Sequence, residues 1–153
     1  MTSARKTRKG GKPKPPPLTR SQMMARVRSK DTAPEWRVRR ALWAAGLRYR
    51  LYVRSLPGCP DIVFAGRRAV VQVRGCFWHS HQGCPAARIP KSRVEWWTAK
   101  LARTVERDAE SDAALAEAGW RVFVVWECET TDAERLTTLV RELEEPPGYG
   151  PPR

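Results

Sequence analysis

The hydrophobic positions of this chain switch between two rhythms, and the switches mark out its elements. From Leu47 to Val53, Tyr49, Leu51 and Val53 alternate with Arg48, Arg50 and Tyr52, the period of a half-buried strand. Ile62, Val63 and Phe64, a Gly66-Arg67 turn and the run Ala69 to Arg74 read as a β-hairpin. A meander of three strands follows, over about residues 47–53, 61–65 and 69–74. The unbroken apolar run Trp120 to Trp126 predicts a further strand, central in the sheet, that delivers Glu127 and Cys128 to its end.

Between the strands the rhythm lengthens to that of a helix. Val38, Leu42 and Ala45 share a helix opened by Asp31 or Thr32, with Pro34 in its first turn, and stopped by Gly46. Val94, Trp97, Leu101 and Val105 fall on one stripe of a long helix from Ser92 to Gly119, opened by the capping box Ser92-x-x-Glu95. A last helix spans about Thr131 to Glu145, capped by Thr131-x-x-Glu134. A short one over Ser21 to Ser29 places Met23, Met24 and Val27 on overlapping faces. Residues 1–18 are Lys, Arg, Gly and Pro with almost nothing apolar, and read as a disordered basic arm. The folded domain is therefore expected over 19–145, with 146–153 a flexible tail.

Composition narrows the class. At 153 residues the chain suits one domain with a real core. No run of about 18 apolar residues occurs, so no membrane-spanning helix is expected. The basic beginning lacks the apolar stretch of a secretory signal, which predicts a cytoplasmic protein, nucleoid-associated if it acts on DNA. The net charge of +13 favours a polyanionic partner, but seven of the 29 basic residues lie in the first 20 positions. The rest carries 22 basic against 16 acidic residues, so the folded part is only moderately basic. Charge alone fits a ribosome-associated protein equally well.

The candidate chemistry is concentrated between Leu56 and Cys84. Asp61 opens one strand of the hairpin, and Gln72, Val73 and Arg74 end its antiparallel neighbour, so the two ends lie side by side. A charged group at the entrance of two apolar strands costs stability unless it is solvated or coordinated. Cys76, His81 and Cys84 form Cys-x4-His-x2-Cys, and Cys128 follows a predicted strand. In a reducing compartment that thiolate-rich set indicates structural Zn²⁺ rather than disulfides. Cys59 is left over. Phe77 and Trp78, adjacent in a loop, cannot both face one small core.

The hairpin resembles that of the PD-(D/E)xK nuclease superfamily, with Gln72-Val73-Arg74 standing where an acid-x-Lys would be. With GCFWH after it, the segment is similar to the very short patch repair endonucleases. The likeness extends over about residues 19–145, through Ser29 to Glu35, LPGCPD, Ile89-Pro90-Lys91, Val94 to Trp97, Val105 to Asp108 and Ala118 to Cys128. It implies a restriction-endonuclease-like α/β fold with a small mixed central sheet flanked by helices and a structural zinc site. The implied activity is a nick 5′ to the thymine of a T·G mispair in double-stranded DNA, starting repair of deaminated 5-methylcytosine. Mismatch-repair proteins and a polymerase would take over the nick, and a monomer suits so asymmetric a target.

The same resemblance distributes roles. Asp61 and the backbone carbonyl of Val73 would hold catalytic Mg²⁺. Glu35 would lie near the metal waters, where otherwise it only complements a helix dipole. Arg74 stands where the best-known members have His; it can stabilise phosphate charge but cannot act as a base, which leaves His79. His81 then goes to zinc, although both histidines lie within reach of Cys76 and the two could exchange. Phe77, Trp78 and Trp97 would wedge into the duplex from one side and Met24 from the other. Each has a plainer alternative: Trp78 shielding the zinc, Trp97 in the core, Met24 at a hinge. The wedge reading has Trp97 exposed and Trp96 in the core. Thr104 replaces a common Asn near the cleaved bond, and Asp108 either orients a catalytic or DNA-contacting group or forms a surface ion pair. Two rivals remain, a related nuclease with another target and a catalytically weak, zinc-stabilised DNA binder.

Overall fold

The computed structural model describes Pro17 and residues 28–146. The expected helix over residues 21–29, with Met24, lies almost wholly outside them, as do nearly all of the basic arm and most of the tail. The rest is a mixed α/β unit: helix α1 (Ala33–Ala44), strands β1 (Arg50–Leu51), β2 (Ile62–Phe64) and β3 (Ala69–Arg74), helix α2 (Val94–Glu117), strand β4 (Arg121–Trp126) and helix α3 (Ala133–Glu144). The strands form one small sheet in the order β1-β2-β3-β4. The first three are antiparallel, Arg50 facing Val63 and Ile62 facing Val71. β4 runs parallel to β3, Ala69 facing Arg121 and Arg74 facing Trp126, and α2 makes the crossover that a parallel pair requires.

Alternation along the strands divides the core in two. Ile62, Phe64, Ala69, Val71 and Val125 meet Val38 and Leu42 of α1 and Leu139 and Leu143 of α3. Val63 and Val70 point the other way, to Leu115 of α2 with Trp120 and Val122 around it. A three-layer arrangement results, with the sheet between helices.

Four expectations are corrected. β4 is an edge strand of this sheet. Its unbroken apolar run reflects burial of both faces, Val122 towards α2 and Phe123 and Val125 towards α1 and α3, rather than pairing along both edges. β1 is two residues long because Tyr52 turns left-handed (φ 50°), carrying its hydroxyl to Glu35. α2 begins at Val94, and Arg93, with a left-handed backbone (φ 56°) and no side-chain cap bond, occupies the cap in place of the expected Ser92. α3 is capped by Asp132, which accepts from the amides of Glu134 (2.9 Å) and Arg135 (3.3 Å), because Thr131 belongs to the preceding turn. α1 has the expected Thr32 cap as a full capping box with Glu35.

Candidate active site and metal centre

The hairpin brings the catalytic candidates to one end of the sheet. Asp61 precedes Ile62 at the entrance of β2, beside the end of β3, and its Oδ2 accepts the Val73 N–H at 2.8 Å. In an extended strand the N–H and C=O of one residue face the same edge. The Val73 carbonyl therefore looks towards Asp61 as well. Burial pushes the Asp61 carboxyl up to about 6, against the Val73 N–H, which lowers it, and with a further rise from the charge of Glu35. A desolvated carboxylate with one free oxygen beside a backbone carbonyl suits a hard divalent cation that keeps several waters. Around it opens a cleft of about 1280 Å³, lined by Glu35, Asp61, Gln72, Arg74, His79 and Asp108 among others.

His79 leaves the loop after β3 and meets α2, its Nδ1 2.5 Å from Asp108 Oδ2. A proton on Nδ1 is thus bound to a carboxylate, and Nε2 is the nitrogen left to accept one. Arg74 is tied to the same helix: Nη2 donates to Asp112 Oδ2 at 2.7 Å, and Nε lies 3.8 Å from Asp108 Oδ2. Four groups, Asp112, Arg74, Asp108 and His79, form one chain, the last three lining the cleft. Asp112 escaped the sequence reading. Its signal is the Asp108-x3-Asp112 spacing, which sets both carboxylates on one helix face.

The ligand atoms of Cys76, His81, Cys84 and Cys128 lie within 4.8 Å of one another. His81 Nδ1 is 3.5 Å from the sulfurs of both Cys76 and Cys128. Zn–S near 2.3 Å and Zn–N near 2.0 Å give a tetrahedral S–N edge of about 3.5 Å, so these two contacts match a zinc site. Burial and the neighbouring thiols push the Cys128 thiol up, whereas the Ala86 N–H lowers that of Cys84. A dication relieves such crowding by holding all three as thiolates. The His81 ring stacks on Trp126 at 4.1 Å and 3°, which fixes its plane. The two histidines are thus separated by the fold, His81 among the thiols and His79 on Asp108.

Phe77 and Trp78 are half-buried and pack edge-on at 5.1 Å, with Trp97 5.2 Å and 6.1 Å from them. Trp97 is 6% exposed and Trp96 44%, the reverse of the expected pair. The helix stripe decides it, because Trp97 shares its face with buried Leu101. Trp97 is the floor under Phe77 and Trp78. Thr104 turns its hydroxyl back to the Lys100 carbonyl at 3.3 Å.

A family model described as DNA mismatch endonuclease Vsr matches residues 15–85. The chain is 43% identical to the DNA mismatch endonuclease Vsr of Escherichia coli strain K12, over 83% of its own length and 82% of the relative's. The chain belongs to the Vsr family. It is also 48% identical to the type II nicking enzyme V.XorIIP of Xanthomonas oryzae pv. oryzae, over 85% of this chain and 95% of the relative. With the nicking enzyme V.NmeAIP of Neisseria meningitidis it shares 41% over 82% and 92%.

This Vsr family chain also holds a buried ion pair that its sequence concealed. Glu35 Oε2 accepts from Arg39 (2.6 Å), Tyr52 (2.5 Å) and the Asp31 amide (3.0 Å), while Thr32 donates to Oε1 (2.8 Å). So many donors leave Glu35 little capacity for direct metal ligation. Arg39 reads as one more surface cation in Arg37-Val38-Arg39-Arg40, yet its side chain is 3% exposed and that of Glu35 5%. Arg39→Met leaves Glu35 charged and uncompensated, and unfolding in urea is expected to show a loss of about 3–5 kcal/mol. Adding Glu35→Gln to Arg39→Met should recover part of it; an unchanged midpoint for Arg39→Met would show that the pair carries no stability.

Proposed function

We propose that this chain is a Mg²⁺-dependent, strand-specific endonuclease with a restriction-endonuclease-like fold. It nicks duplex DNA 5′ to the thymine of a T·G mispair and so starts very short patch repair of deaminated 5-methylcytosine in the cytoplasm. The observation that carries this is the meeting in one cleft of Asp61, held on the Val73 amide, with His79, held on Asp108. The nicking and mismatch endonuclease names of its relatives support it.

Asp61 and the Val73 carbonyl would hold Mg²⁺, which supplies Lewis acidity at the scissile phosphate and a lowered pKa for attacking water. His79 Nε2 is the nitrogen placed to accept a proton from an attacking water, and Asp108 keeps the ring in the required tautomer. Arg74, aimed by Asp112, sets positive charge against the developing phosphate charge. Glu35, held by Arg39, Tyr52 and Thr32, would orient water near that metal. Cys76, His81, Cys84 and Cys128 would hold Zn²⁺, which with four protein ligands would be structural and would close the loop that carries Phe77, Trp78 and His79. Phe77 and Trp78 wedge into the base stack over Trp97, with Met24 on the other side, where a weakly stacked mispair costs least to open. Thr104 lies two turns after Trp97 on the same stripe of α2, from which it would meet the DNA near the cut. The protein acts as a monomer and hands the nick to mismatch-repair proteins and a polymerase.

A panel of otherwise identical duplexes with T·G, C·A, T·T or matched C·G at one position tests the target. In Mg²⁺, nicking of T·G is expected to exceed every other duplex by about five- to a hundredfold, from roughly 1–3 kcal/mol of discrimination per wrong pair. Equal nicking of another mispair would replace T·G as the target.

A further inference from the structure

The cleft does not end at the catalytic residues. The first turn of α1 forms its outer wall, and Ala33 and Trp36 of that turn also line a shallow hollow outside it, closed by Arg37 and Arg40. Trp36 is 50% exposed, and among the described residues the one cation over its ring is the Arg39 guanidinium, at 5.4 Å from the centroid. Trp43, two turns further along, is as exposed, but there Arg48 lies over the ring at 3.7 Å. Among the described residues, the less covered aromatic of α1 is therefore the one next to the cleft. Arg40 has no hydrogen-bond or ion-pair partner among the described residues, and Arg37 makes one long bond, 3.4 Å to Thr130 Oγ1. Two guanidinium groups without carboxylates thus flank an exposed indole at the margin of the cleft.

We propose that this end of α1 is a second DNA contact, in which the duplex flanking the nick crosses Trp36 and places phosphates on Arg37 and Arg40. Two observations select nucleic acid over a protein as the occupant. The hollow shares its wall with the cleft, so a duplex seated there passes over it. Its cations are unneutralised and solvated, the state in which phosphate contact releases condensed counterions at little desolvation cost. The proposal rests on the reading of the cleft as a duplex-binding active site.

The test is binding of a fluorescein-labelled T·G duplex in EDTA, followed by anisotropy across salt concentrations. The wild type is compared with Arg37→Gln/Arg40→Gln and with Arg141→Gln. Arg141 is exposed, two residues before the Leu143 carbonyl that Arg67 reaches at the other end of the sheet. Arg37→Gln/Arg40→Gln is expected to make the slope of log K against log salt shallower by about two and to weaken binding roughly tenfold. Arg141→Gln should match the wild type. Trimming the duplex on the flank that crosses α1 should bring the wild type down to the double variant, and trimming the other flank should not. An unchanged slope in the double variant, with tight wild-type binding, overturns this contact and leaves the nuclease reading standing. A wild type that does not bind the duplex at all overturns both.

Discussion

Asp61→Asn is expected to lower nicking of a T·G duplex at least about a thousandfold while making the metal-free protein more stable. The loss follows from removing an anionic oxygen that would hold the metal, worth several kcal/mol of transition-state stabilisation. The gain in stability follows from the burial that raises the Asp61 carboxyl from 3.8 to about 6. A carboxylate whose folded pKa is raised binds its proton more tightly in the folded state. Its charge therefore destabilises the fold above about pH 6, progressively less towards pH 4, and not at all below the unfolded value. Two units correspond to on the order of 2–3 kcal/mol, an upper figure because bound water and Mg²⁺ both relieve it. Thermal unfolding in EDTA at pH 8 should place Asp61→Asn above the wild type, and the difference should vanish near pH 4. Mg²⁺ should raise the wild-type Tm at pH 8 and leave that of Asp61→Asn unmoved. A variant that loses nicking together with stability at pH 8 would mean that Asp61 serves the fold.

Loss of the zinc proposed for the cysteine–histidine cluster is the second large effect expected. Cys76 is wholly buried, and its amide donates to Glu127 Oε2 at 3.3 Å, so the cluster pins the loop after β3 to the turn after β4. Without the ion, three thiols and an imidazole would be crowded within 4.8 Å with nothing to hold them. Cys128→Ser, or a strong chelator, is expected to release one zinc per chain and lower the Tm by on the order of 10 °C. Nicking should fall as well, since Phe77, Trp78 and His79 all sit between two ligands. Elemental analysis by mass spectrometry gives the stoichiometry, and the same preparation gives the Tm. A protein purified without zinc and with an unchanged Tm would reduce the cluster to a set of free thiols.

What could be read from the sequence follows from the range of each interaction. The hairpin, the Asp61 entrance and the spacing of Cys76, His81 and Cys84 are local patterns, so residue types at short separations sufficed. Cys128 was legible because a strand delivers it. Contacts that span elements were harder. Asp112 belongs to the site only because α2 lays its face along the end of β3, and Arg39 is buried only because Tyr52 bends back from β1 onto Glu35. Trp96 and Trp97 differ by one step of about 100° around a helix, and both fit a plausible apolar stripe. Burial against Phe77 and Leu101 selected Trp97. The run Trp120 to Trp126 reports that both faces of β4 are covered but cannot report how many edges are paired.

The most direct measurement is strand-resolved nicking of a duplex carrying a single T·G pair, with each strand labelled in turn, in Mg²⁺ and in EDTA. A single cut in the thymine strand, immediately 5′ to the mispaired base and absent in EDTA, is the expected result. Cutting of both strands, cutting that survives EDTA, or tight binding without any cut in Mg²⁺ would contradict the assignment of Asp61 and His79 as its active site.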